Sequence, residues 1–132
     1  MTQEDKELLL KDLCARLDTN LVCSIYRTDD EGVGYRDEIL HGYCKGDIWY
    51  EFYFREDCSI GIDNVSKIKP YLFPLSSMTE EQEKEYNNLN CYELGCFPHS
   101  EEALDYLTKN HFDYRHLIDK NLAIDATGLN IY

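Results

Sequence analysis

The sequence predicts an α+β fold, and three observations predict it. Apolar residues recur at helical spacing near the start, at Leu10, Leu13, Cys14 and Leu17. Between about residues 20 and 65 the pattern turns to short runs of β-forming residues. After Glu80 helical patterns return, and the join between the two regimes, Ile68 to Glu81 (IKPYLFPLSSMTEE), carries two of the chain's three prolines. The expected order is an N-terminal helix, a small, mostly antiparallel sheet, a proline-rich strap, two or three helices and an extended C-terminal tail. At 132 residues this fits a single globular domain, residues 1–132, built on one hydrophobic core.

Thr2, with Asp5 three residues on, forms a capping box that opens a helix over about residues 3–18. Leu21 to Tyr26 (LVCSIY) reads as a strand, ended by the acidic, glycine-containing Asp29 to Gly34. Tyr35, Ile39 and Tyr43 fall on one side of a second run, and Ile48, Tyr50, Phe52 and Phe54 on one side of a third. With Lys45-Gly46-Asp47 between them, the two runs predict a β-hairpin, and Ser59 to Val65 adds a short strand.

Pro70 and Pro74 fix their own φ and hold Lys69 and Phe73 extended, so the strap is expected to be stiff and polyproline-II-like. Ser77 and Thr79 both suit the N-cap of a polar helix over Glu80 to Asn90, which only Tyr86 and Leu89 can anchor. After an extended Cys91 to Phe97, Ser100 caps a helix whose Ala103, Leu104 and Leu107 form a buried stripe. Asp113 can cap a short turn over Tyr114 to Ile118, and Leu122 to Tyr132 closes the chain through a Thr127-Gly128 turn.

The formal charge of −13 sets up a field that repels nucleic acid and anionic membranes and attracts basic patches on proteins. Direct nucleic-acid binding and membrane association are therefore not expected, and no apolar run approaches the roughly 20 residues of a spanning helix. Six cysteines behind an acidic, amphipathic start without signal-peptide character point to free thiols and a cytoplasmic location.

The acidic excess is uneven: Glu80 to Asp105 holds eight acidic residues against Lys84 alone. Glu80, Glu81, Glu85, Glu101 and Glu102 are the candidates for docking a partner protein with a basic surface, imitating the charge of nucleic acid. The same side chains would also serve as a solvated face that keeps a small protein soluble. A second candidate surface is the reverse side of the third strand, where Trp49, Tyr53 and Arg55, joined by Arg36, offer stacking planes and fixed positive charge. Such groups suit a nucleotide ligand, a protein hot spot or a homo-oligomer contact, set against plain cross-strand packing.

Cys91-x4-Cys96-x2-His99 is the nearest approach to a zinc site, yet it needs a fourth ligand from His111, His116 or a distant cysteine. Buried free cysteine is a common small hydrophobe, so no metal or other cofactor is expected. His99-Ser100-Glu101 lacks the Pro-Cys-x-x-Cys half of a zinc deaminase. Gly32-Val33-Gly34 has no following lysine or helix to cradle phosphate. Without a nucleophile elbow no catalytic residue is assigned, and a small hydrolase with an unrecognised site stands as an alternative to a binding protein.

Three stretches, EDKELLLKDLCARL, KIKPYLFPLSSMTEEQ and KNHFDYRHLIDKNLAIDATGLNIY, resemble a family of small, uncharacterised proteins carried by gut anaerobes of Bacteroidales type and their prophages. Between Asp18 and Asp63 the chain departs from that pattern, with Asp18-Thr19-Asn20-Leu21 where the family reads PYGV. The resemblance implies no catalytic residue or substrate. It implies the context of a phage or mobile element, in which small acidic proteins act by binding, including against host defence factors. The expected function is thus a non-enzymatic acidic binding protein, with a nucleotide-signal sponge as the first alternative.

Overall fold

The computed structural model describes residues 1–29, 32–45, 50–55, 58–90 and 100–132. In chain order the elements are α1 (Gln3–Ala15), β1 (Val22–Asp29), β2 (Gly32–Ile39), β3 (Gly42–Lys45), β4 (Tyr50–Arg55), β5 (Cys58–Gly61), β6 (Ile68–Pro74), α2 (Glu80–Asn90), α3 (Glu101–Lys109), β7 (Phe112–Asp113) and β8 (Ile124–Asp125). The architecture is α+β, as the pattern predicts.

The capping box opens α1: Thr2 Oγ1 accepts from Asp5 N at 3.1 Å, and Asp5 Oδ2 accepts from Thr2 N at 3.4 Å. The helix stops at Ala15 rather than near residue 18, because Asp18 and Asn20 take left-handed φ of 69° and 56°, which short polar side chains tolerate. Leu9 and Leu13 are fully buried on its inner face, a gain of about 1.5–3 kcal/mol each.

Five strands form one sheet in the order β2-β1-β6-β7, with β8 also paired to β6; β3, β4 and β5 form a second. The chain crosses between the sheets at two consecutive residues. Leu40 N donates to Leu21 O beside β1, while His41 N donates to Tyr53 O in β4, each at 2.8 Å. The hairpin expected between the second and third runs is met only in part: β3 pairs antiparallel with β4, Tyr43 opposite Phe52, while Tyr35 and Ile39 fall in β2, which pairs with β1, and Gly46 and Asp47 of the expected turn lie outside the described residues. Phe52 and Phe54 are buried as their alternation requires, but Tyr35 and Ile39 are 70% and 40% exposed. β2 is an edge strand, and its outer face is not covered by the described residues.

The strap departs most from expectation. Ile68–Pro74 is a strand in the middle of the larger sheet, antiparallel to β1 and parallel to β7 and β8. Proline is tolerated there because it falls where ladders end: Pro70 closes the pairing with β1, and Pro74 the pairing with β7. Beyond β5 the chain forms a 3₁₀ turn over Ile62–Lys67, so the strand expected through Val65 ends at Gly61.

Thr79 rather than Ser77 caps α2, exchanging bonds with Gln82 (Gln82 N to Thr79 Oγ1, 3.2 Å; Thr79 N to Gln82 Oε1, 3.0 Å), whereas Ser77 Oγ donates to Pro74 O. Ser100 caps α3 through Ala103 N, and Asp113 accepts from Leu117 N and Ile118 N at 2.9 Å each, as predicted. The Thr127-Gly128 turn is present, with Gly128 at φ 76°, a conformation that glycine adopts without strain. The buried apolar residues fall into two clusters: one between α1 and the sheets, the other (Tyr86, Ala103, Leu107, Phe112, Tyr114) beneath α2 and α3.

Candidate functional site

The acidic residues singled out from the sequence lie on α2 and α3, which pack against each other. Tyr86 of α2 is buried against Tyr106 of α3, ring centroids 6.4 Å apart, while Leu89, the other expected anchor, is 40% exposed. Ser100 Oγ donates to Leu89 O at 2.9 Å, tying the start of α3 to the end of α2. Glu80, Glu81, Glu85, Glu101, Glu102 and Asp105 are all exposed. Tyr106 Oη donates to Glu85 Oε2 at 3.0 Å. Burial first, then that bond and the charges of Glu85 and Glu81, push the Tyr106 hydroxyl up to about 12, so the carboxylates of α2 act electrostatically on a residue of α3.

Of the second predicted surface, two members fall among the described side chains. Arg36 is half-buried in β2 of the larger sheet, and Tyr53 is half-buried in β4 of the smaller. Trp49 lies outside the described residues, as does the side chain of Arg55. Cys91, Cys96 and His99 also lie outside them. Among the described residues, no group of three or more His, Cys, Asp or Glu is placed to hold a metal ion, and no helix is long and apolar enough to cross a membrane.

Two constellations were not singled out from the sequence. The first is a buried charge cluster beneath β7. Asp12 and Arg16, one turn apart on α1, are both wholly buried and paired at 2.8 Å through Arg16 Nε. Arg16 Nη2 donates to Phe112 O at 2.6 Å, and its guanidinium lies 5.2 Å from the centre of the Tyr114 ring. Arg115 lies over the same ring at 4.6 Å, donates to Tyr114 Oη and comes within 3.5 Å of Asp12 Oδ1. A charge buried in this way demands pairing and hydrogen bonds. The i,i+4 spacing of Asp12 and Arg16 was legible, but it reads equally as a surface pair. Burial beside this cluster also pushes the thiol of Cys23 far up, with Asp12 adding to the shift and Arg16 opposing it; a thiol so held is unreactive.

The second is an open cleft of about 430 Å³ between β6, the end of α3 and the C-terminal tail. Phe73, His111 and Tyr132 supply its aromatic wall; Gln82, Lys109 and Asn110 stand among its polar lining. The His111 ring stacks on Tyr132 at 3.8 Å and 10°. Tyr132 Oη donates to Tyr71 O at 2.8 Å and accepts from Val22 N at 3.0 Å, which pins the tail across β1 and β6. His111 holds the left-handed φ of 63°, a strained state for a histidine, secured by its carbonyl, which accepts from Phe73 N at 2.8 Å. Burial, then the Arg16 guanidinium, lowers its imidazole to about 4, so the ring is neutral at neutral pH. The charge cluster thus grips the strand that floors the cleft, through the carbonyl of Phe112.

In comparisons with known proteins, no family model, no curated protein and no solved structure matches the chain.

Proposed function

We propose that the chain is a non-enzymatic binding protein that docks the joint acidic face of α2 and α3 against a basic patch on a partner protein. One observation carries the reading: six exposed carboxylates spread over two helices that pack as a unit, with Lys84 and Lys109 as the only cations of either helix. Such a face raises the encounter rate with a cationic partner and disfavours acidic competitors. The wider proposal, a cytoplasmic protein of a mobile element or prophage opposing a host defence factor, rests on the resemblance of the start, strap and tail to proteins of gut anaerobes.

A retention experiment tests the docking face. The immobilised chain and its Glu81→Lys/Glu85→Lys/Glu102→Lys variant are exposed to lysate from a gut anaerobe. A basic protein is expected on the parent chain, released as salt shortens the Debye length below about 5 Å, and absent from the variant. Equal retention by both chains, at all salt concentrations, would contradict the reading.

A further inference from the structure

Among the described residues, the cleft beside His111 is lined by none of the exposed carboxylates of α2 and α3, nor by Arg36 or Tyr53. Its chemistry is unlike that of the rest of the chain. Of 132 residues 26 are acidic, yet among the described residues the lining holds no aspartate or glutamate, and its charged member is Lys109. Its polar groups retain unused valences. Gln82 spends its carbonyl oxygen on Thr79 N, and Asn110 spends its amide nitrogen on Tyr106 O. Gln82 therefore keeps an NH₂ donor and Asn110 a carbonyl acceptor, neither of which has a partner among the described residues.

His111 is 92% buried, since only 8% of it is exposed. Its Nδ1 is sealed from solvent without a hydrogen-bond partner, and its ring lines the cleft beside Tyr132 and Phe73. A donor and an acceptor on separate amides are what the edge of a nucleobase pairs with. Aromatic rings stack on its faces, and a lysine at the rim receives an anion. The volume lies in the range that encloses a small ligand.

We propose that the cleft binds a nucleoside monophosphate, its base against the ring wall, the Gln82 amide and the Asn110 carbonyl, and its phosphate at Lys109. The ligand is held, not converted. The left-handed backbone of His111 then sets its ring behind Tyr132, on which it stacks, and the Tyr132 hydroxyl anchor keeps that wall in place.

The test is calorimetric titration of the full chain with AMP, GMP, CMP and UMP, with adenosine and orthophosphate as controls. At least one nucleotide is expected to bind one per chain, with a dissociation constant on the order of 10 μM for a ligand of this size. The matching nucleoside should bind about tenfold more weakly and orthophosphate more weakly still. Lys109 and Thr127 are both exposed, so substitutions there leave the core alone. Lys109→Ala should reduce the nucleotide to the affinity of its nucleoside, and Thr127→Trp should abolish binding by filling the cleft. Failure of all four nucleotides to bind below about 1 mM, or binding that neither substitution weakens, would overturn the proposal.

Discussion

At the scale of single residues the most consequential arrangement is the buried pair of Asp12 and Arg16. Removing one member strands the other's charge in the core, so Asp12→Ala or Arg16→Ala is expected to cost about 3–5 kcal/mol, read from urea unfolding. The double variant Asp12→Leu/Arg16→Met should recover only part of that loss: it removes both buried charges together, but leaves Phe112 O without its donor and Arg115 without its carboxylate. If each single variant unfolds within experimental error of the parent, the cluster is not the clamp described.

His111 gives a second prediction, with a sign fixed by its neutral state. Its value in the folded chain is about 4, below the ordinary value of about 6.5. As pH falls through that interval the unfolded chain takes up a proton that the folded chain refuses, so stability falls with it. The loss should be about 1–2 kcal/mol, discounted from the full shift because the ring edge meets the open cleft. Asparagine accepts a left-handed φ, so His111→Asn isolates the effect. Its Tm should decline less than the parent's between pH 6.5 and 4, and parallel declines would refute the assignment.

The residues that make these sites were visible as letters but not as neighbours. Arg16 meets Phe112 across 96 positions of sequence, and no local pattern encodes that encounter. The exposure of the acidic residues on α2 and α3 was legible because charge and helical period are local properties. It follows from the polar composition of α2, which leaves only Tyr86 to bury.

At the scale of elements the cap signals at Thr2 and Ser100 and the alternation of the Phe52–Phe54 strand match the structure, whereas Ser77 and the Tyr35–Ile39 alternation do not. The sequence signals also failed for the strap. Its prolines speak for extended backbone, which is correct, but β7 and β8 are two-residue strands too short to announce themselves, so a central strand reads as an isolated one. The cap of α2 supplies a prediction at this scale. Thr79→Ala removes the bond to Gln82 N and should cost about 1 kcal/mol. Hydrogen exchange should quicken along Glu80–Asn90 and leave α1 unchanged. Uniform acceleration throughout the chain would mean that α2 does not open as a separate unit.

At the scale of the whole molecule two features are set side by side: a strongly acidic helical face, and a cleft whose described lining is free of acidic side chains. Charge on the first serves encounter with a cationic protein, while absence of negative charge from the described lining of the second spares an anion from repulsion at short range. The most direct measurement of the docking claim is hydrogen exchange of the full chain, alone and saturated with the protein that it retains from lysate. Slowed exchange concentrated in α2 and α3 is the result that the account predicts. Protection confined to β2, with α2 and α3 unchanged, would contradict it.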